Sequence, residues 1–241
     1  MQCLIIAAGE GSRLRSRAAS KPLAEIAGRP LIEHIVRRAR AAGATRFLVV
    51  TGYRPEPIES FLAELSRREG VEIETVRNED WRRPNGISVL AAASRIEEKF
   101  LLLMSDHLFD PAMLASLIAA EPDAALTLAV DYGIDNPLID LDDATKVVVG
   151  EGRRIVRLGK ALAQYDAIDT GLFRAGPALI GAIERSIADG GQGSLSEGVQ
   201  RLADEGAARV HDVSGFWWLD VDDPRAIALA EEALGGGKGL I

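Results

Sequence analysis

Cysteine is all but absent from this sequence. Cys3 stands alone among 241 residues, so no intramolecular disulfide framework can staple the fold. It also sits inside the apolar run "CLIIAA", where a thiol serves as a small core side chain rather than a nucleophile. Long apolar runs are missing too. The stretch "FLLLM" at 100–104 is far shorter than the roughly 20 residues that cross a bilayer, and no basic segment precedes an apolar one at the N-terminus. Positive charge is in deficit. A net charge of −8 repels a nucleic-acid backbone, which excludes general nucleic-acid binding and confines phosphate chemistry to a local basic site. These absences lead to the expectation of a soluble, cytoplasmic protein without a membrane span, folded on the core that 47% apolar residues supply.

Short aliphatic runs alternate with longer helical patterns: "CLIIA", "LIEHIVRRARAAG", "RFLVVTG", "PIESFLAELSRREG", "EIETV" and "ISVLAAASRIEE". This rhythm predicts an α/β fold, Rossmann-like, with a mostly parallel or mixed central sheet flanked by helices. Within 31–42, Leu31, Ile32, Ile35, Val36 and Ala39 form an apolar stripe, which leaves Arg37, Arg38 and Arg40 as a solvated face. The turn "SDHLFDP" leads into a helix that starts at Pro111. From Asp123 the texture changes to strands in "AALTLAVD", "TKVVVGEGRRIVRLG" and "YDAIDTGLFR", with a hairpin at 150–152, followed by helices over 177–189 and 195–204. No flexible linker separates the halves, so 1–241 is expected to form one domain. The glycine-rich 235–241 reads as a frayed tail or a linker.

Glycines directly after a first parallel strand let backbone N–H groups approach an anion, and nearby basic side chains neutralise it. The segment "AAGEGSRLRSRAASKPL", residues 7–23, therefore reads as a phosphate cradle. It has no Walker A spacing, and Leu14 stands where a dinucleotide fingerprint needs its third glycine. What it resembles is the nucleotidyltransferase superfamily, whose loop it matches in "IAAGEGSRL" and "KPL", with "EIAGRPLIEHIV" continuing the likeness. That resemblance implies that Ala7, Ala8, Gly9, Gly11 and Ser12 hold a nucleotide, with Arg13 and Lys21 on its phosphates and on the departing pyrophosphate. It divides the domain into a nucleotide-binding part, 1–122, and a β-rich acceptor-binding part with a cover, 123–234.

Nucleoside triphosphates react as magnesium complexes, and magnesium takes a few carboxylate oxygens. Asp106, just after "FLLLMS", lies where a parallel strand would end beside the first loop, and Asp220 and Asp222 alternate about Val221 so that both face one way. These three are the expected metal ligands, and the superfamily likeness implies the same. Asp223 is expected to cap the helix that begins at Pro224, and His107 to be a loop or outer group because magnesium favours oxygen.

In "RPNGISVLAAA", Asn85 and Gly86 make a turn at a helix start and Ser88 either caps or touches a base; cytidylyl-transferring relatives carry a similar segment, a likeness that implies nucleotide binding by Asn85, Gly86 and Ser88. Trp81 is either a lid aromatic or packing. The second half, through "MSDH", "DATKV", "LGK", "DTG", "SLSEGVQRL" and "WWLDVDDP", resembles CTP:inositol-1-phosphate cytidylyltransferases, including the cytidylyltransferase half of bifunctional enzymes. That likeness implies CTP and a phosphorylated polyol as substrates. Lys146, also catalytic, and Lys160 would meet the acceptor phosphate, while Asp169, Thr170 and Glu197 would meet the polyol. Glu197 in a first helical turn also fits a purely dipolar role. The acidic stretch "DYGIDNPLIDLDD" reads as a solvated loop or a flap over the acceptor. Some relatives are fused or coupled to a membrane CDP-alcohol phosphotransferase; a homo-oligomer remains open. Competing readings are a sugar-1-phosphate or phosphocholine-type nucleotidyltransferase, a silent nucleotide-binding regulatory subunit, and, weakened by Leu14, a dinucleotide-dependent oxidoreductase.

Overall fold

The computed structural model describes residues 1–11, 20–96, 99–120 and 124–236. Strand β1 (Gln2–Ile6) is apolar throughout because both of its faces are covered. A small hairpin of β2 (Glu25–Ile26) and β3 (Arg29–Pro30) leads into helix α1 (Leu31–Ala41). Two right-sized βα units follow: β4 (Arg46–Thr51) with α2 (Pro55–Glu69), then β5 (Glu72–Arg77) with the short α3 (Gly86–Ala91). Next come β6 (Phe100–Met104), β7 (His107–Phe109) and α4 (Pro111–Ala119). The segment read as a plain turn thus contains a three-residue strand.

The second half supplies β8 (Leu126–Asp131), β9 (Lys146–Val149), β10 (Ile155–Gly159) and the long β11 (Ala167–Ala175). Helices α5 (Pro177–Ala188) and α6 (Leu195–Asp204), strands β12 (Ala208–Asp212) and β13 (Trp218–Asp220), and helix α7 (Pro224–Gly235) complete the chain. The main sheet runs β10-β9-β11-β6-β1-β4-β5, with β8 and then β12 branching from β11. β6, β1, β4 and β5 are parallel, whereas β11 is antiparallel to β6, β8 and β9. The mixed sheet flanked by helices that the alternating pattern predicts is the architecture observed. The division placed between 122 and 123 falls among residues outside those described; β8 and β11 continue the sheet of the first half.

Period-two alternation sorts the core into two layers. Cys3, Ile5, Phe47, Val49, Leu101 and Leu103 face one side, with α1, α2, α4 and α7 packed on them. Leu4, Ile6, Leu48, Val50, Phe100 and Leu102 face the other, under residues of α3, α5 and α6. Cys3 is fully buried, and that burial drives its thiol pKa far above the ordinary range, in keeping with a core role. Asp223 accepts from Ala226 N at 2.7 Å and caps α7, as its place before Pro224 predicts.

The arginine face of α1 departs from expectation at one residue, since Arg40 is exposed and Arg37 half-buried as a solvated face requires. Arg38 is buried, with Nη1 3.3 Å from His34 Nδ1, while His34 Nε2 meets the carbonyl of Ile26 at 2.8 Å. The β2–β3 hairpin folds over this side of α1, which the helical stripe alone could not reveal. Glu33 is buried as well, and it accepts from Arg37 at 3.0 Å and Arg68 at 2.6 Å.

The site is prepared where the carboxyl ends of β1 and β6 lie side by side, in register from Gln2 opposite Phe100 to Ile6 opposite Met104. Beside them β11 is broken by a register shift between Asp169 and Phe173, with Gly171 at φ +75°.

Candidate active site

The loop after β1 begins as a continuation of the sheet. Ala7 N donates to Val50 O at 2.8 Å, and Ala8 O accepts from Tyr53 N at 2.9 Å, so those backbone groups are committed before the glycines begin. Gly9 and Gly11 then line a cavity of about 360 Å³ together with Lys21 and Asp106. At Gly11 the chain needs glycine twice over: φ is +58°, and a Cβ would lie 2.2 Å from Lys21 Cβ. The loop therefore clamps the stem of Lys21, which enters a single 3-10 turn, Lys21–Leu23, with Pro22 inside it. Ser12 and Arg13 lie outside the described residues.

Lys21 Nζ sits among three carboxylates. It donates to Asp106 Oδ2 at 2.8 Å and to Asp222 Oδ1, and lies 3.9 Å from Asp220 Oδ1. The other oxygen of Asp106 meets His107 Nδ1 at 2.8 Å. Pairing of β13 with β7 places Asp220 directly opposite His107, and Asp106, His107 and Asp220 each present one ligand atom within 4.8 Å of the others. The expected ligand set of Asp106, Asp220 and Asp222 is thus brought together around one point, with His107 drawn in and Asp222 on the lysine.

Electrostatics follow from this crowding. Burial works against the charge on Asp106, but Lys21 and the His107 hydrogen bond outweigh it and hold the carboxyl well below the usual range. For Asp220, burial and the nearby Asp106 charge raise the pKa. Burial disfavours charge on His107 too, yet Asp220 and Asp106 push the imidazole up to about 9, so it is a cation at neutral pH. Asp220 Oδ1 is buried without a hydrogen-bond partner, a carboxylate oxygen of the kind a hard cation completes. Among the described residues the grouping able to hold a metal ion is Asp106, His107 and Asp220, two carboxylates and one imidazole.

A larger cavity, about 680 Å³, opens on the other side of the cluster and shares Asn85, Met104, Asp106 and Asp222 with the smaller one. Residues 137–145 wall it, so the acidic stretch is a flap rather than a free loop. Lys160 also lines it and is ion-paired with Asp143 of the flap, while Lys146 Nζ donates to Lys160 O at 2.7 Å and lies 5.7 Å from the Tyr165 ring centre. Asp169 and Gly171 reach the cavity wall. Burial raises the Asp169 pKa to about 6 against the opposing Gly171 N–H bond and His107 charge.

Other expected contacts go elsewhere. Thr170 is fully buried and donates to Ala129 O at 2.8 Å, on the face of β11 opposite Asp169 and Gly171, which line the cavity. Ser88 accepts from Asn78 Nδ2 at 3.0 Å beneath α3 and is absent from both cavity walls. Gly86 permits contact with the 193–195 backbone, its hypothetical Cβ lying 2.4 Å from Gly193 O. Asn85 accepts from Leu195 N at 2.9 Å and ties this turn to α6. Trp81 packs edge-on to Tyr53 and against Gly52.

Glu197 closes a capping box with Ser194 and also accepts from Gly193 N at 2.7 Å; it does not line the cavity. Its carboxylate is occupied by the loop, which is a physical reason to remove it from the polyol contacts. Ser-x-x-Glu at 194–197 carried that information in advance. Glu197→Ala is expected to lower stability by about 1–3 kcal/mol through lost caps and unpaired N–H groups. Thermal and urea denaturation check this, and an unchanged midpoint would reject the capping account.

Residues 3–147 match the family model described as MobA-like NTP transferase domain. The chain is 38% identical over 237 residues to the "Bifunctional IPC transferase and DIPP synthase" of Rubrobacter xylanophilus, covering 96% of this chain and 51% of that protein. It is 32% identical over 248 residues to the protein of the same description in Aquifex aeolicus, covering 99% and 54%. The chain therefore spans about half the length of these curated relatives. The solved inositol-1-phosphate CTP transferase from T. maritima superposes with a TM-score of 0.83 at 29% identity, covering 97% of this chain and 96% of that one. A UDP-glucose pyrophosphorylase complexed with UDP-glucose shares the fold at TM-score 0.82 and 16% identity, covering 98% of each chain.

Proposed function

The chain belongs to the MobA-like NTP transferase domain family and is a nucleotidyltransferase, and on that premise we propose that it transfers CMP from CTP to inositol 1-phosphate, releasing pyrophosphate. The observation that carries this reading is the junction of two cavities at one cluster, Lys21 with Asp106, Asp220 and Asp222. The glycine-lined cavity is suited to the triphosphate and the larger one to the acceptor. Eight aspartates line the larger cavity together with Lys160, Arg225 and the His107 imidazole, a composition suited to hydroxyl groups plus one phosphate. The similarity to the solved inositol-1-phosphate CTP transferase and to the proteins named "Bifunctional IPC transferase and DIPP synthase" supports the choice of substrates.

In this reaction an oxygen of the acceptor phosphate attacks the α-phosphorus of CTP. The new P–O bond forms as the bond to the bridging oxygen of pyrophosphate breaks. The attacking oxygen is already anionic near neutral pH, so catalysis is positioning and charge neutralisation. Lys21, released from its carboxylates, meets the phosphates; Lys160 draws the acceptor phosphate, with Asp169 on a hydroxyl group. Magnesium would be held by Asp106 and Asp220, with Asp222 beside them, and would supply charge neutralisation on phosphate oxygens.

Incubation with magnesium, CTP and inositol 1-phosphate, followed by mass detection of CDP-inositol and an assay for pyrophosphate, tests the proposal. Equimolar formation of both products, requiring both substrates, is expected. Preferential turnover of UTP with glucose 1-phosphate would replace it with the sugar-nucleotide reading.

A further inference from the structure

Asp131 ends β8 outside both cavities and is 3% exposed, yet both carboxylate oxygens are engaged. Oδ1 accepts from Gly133 N at 2.8 Å, and Oδ2 accepts from Trp218 Nε1 at 2.9 Å. A buried carboxylate is costly unless its oxygens are satisfied, so this pair of bonds specifies where Trp218 must lie. Trp218 is the first residue of β13, and its ring lies parallel to His107, with 6.1 Å between centroids and a 1° interplanar angle. His107 in turn holds Asp106 Oδ1, and Gly171 lies against it, where a Cβ would be 2.8 Å from His107 Cδ2.

The register of β13 on β7 makes the arrangement transmit position. Trp218 stands opposite Phe109 and Asp220 opposite His107, and Trp218 and Asp220 share one face of their strand. One hydrogen bond from β8 thus adds a side-chain tie to the β7 pairing that holds the strand carrying Asp220 and, through the stacked ring, bears on the imidazole that orients Asp106. We propose that Asp131 is a positioning residue: through Trp218 it sets the spacing of the Asp106 and Asp220 carboxylates. The inference rests on reading those two carboxylates as the cation ligands.

The test uses the whole chain with Mn²⁺ alone, read by electron paramagnetic resonance, so its outcome is independent of which substrates the enzyme takes. Asp131→Asn retains the shape but offers one acceptor where two donors converge. Trp218→Phe retains an aromatic ring and removes only the indole N–H. Each is expected to weaken Mn²⁺ binding by about tenfold or more, the scale on which groups orienting metal ligands act. The double variant should be no weaker than the weaker-binding single variant, because both remove the same link. The Trp218 indole N–H resonance should shift in Asp131→Asn. Trp218→Phe alone carries the test if Asp131→Asn does not fold. A lower melting temperature with unaltered Mn²⁺ affinity at low temperature, or additive losses in the double variant, overturns the proposal.

Discussion

Asp106→Asn is expected to reduce kcat by about a hundredfold to a thousandfold, which corresponds to about 2.7–4 kcal/mol of transition-state stabilisation. Asparagine fills the same volume and keeps one oxygen, so the substitution tests charge rather than packing. That charge is engaged on two sides: Oδ2 takes the Lys21 ammonium at 2.8 Å and Oδ1 takes His107 Nδ1 at 2.8 Å. Removing it leaves two cations facing Asp220 and Asp222 alone, and it takes one carboxylate from the proposed magnesium site. Divalent-ion affinity should fall together with kcat, and circular dichroism should show the fold intact. Full turnover in Asp106→Asn, with unchanged Mn²⁺ binding, would remove this residue from the chemistry.

Residues that work through near neighbours in the chain were legible before any fold was known. The glycine loop, the Lys-Pro-Leu step and the strand ending before Asp106 are local strings whose physical meaning does not depend on distant partners. Asp220 and Asp222 were placed by alternation, and both do reach Lys21. Less legible was everything decided by pairing across long separations. β7 is only three residues long and hid inside a turn signal, so the apposition of His107 with Asp220 could not be read. Asp131 and Trp218 are 87 residues apart, and nothing in "LTLAVD" names its partner. Thr170 was grouped with Asp169 as one motif, although alternation along β11 sends adjacent residues to opposite faces: Asp169 lines the cavity and Thr170 turns into the core. Arg38 shows a related limit on a helix, where one arginine of a polar face is buried beside a neighbouring hairpin while Arg40 stays exposed.

Lys21→Met should separate two roles that one ammonium group fills. Lys21 is 8% exposed and occupies the space among Asp106, Asp220 and Asp222, so it neutralises the carboxylates that a divalent cation would need. Methionine keeps the unbranched stem that Gly11 accommodates but removes the charge. Divalent-ion binding without nucleotide should therefore tighten, because like charges at Asp106, Asp220 and Asp222 lose their internal counterion and attract an external one. Turnover should move the opposite way. With no ammonium to stabilise charge on the triphosphate, kcat/KM is expected to fall by about a hundredfold to a thousandfold, the cost of losing one preorganised electrostatic group. Calorimetric titration with Mn²⁺ and steady-state kinetics on the same preparation provide the two readings. Opposite changes identify Lys21 as a cation shared between the metal carboxylates and the substrate phosphates. Parallel losses would instead mean that the carboxylates scatter without it, making Lys21 the group that holds the site together, and unaltered kinetics would exclude it from the reaction.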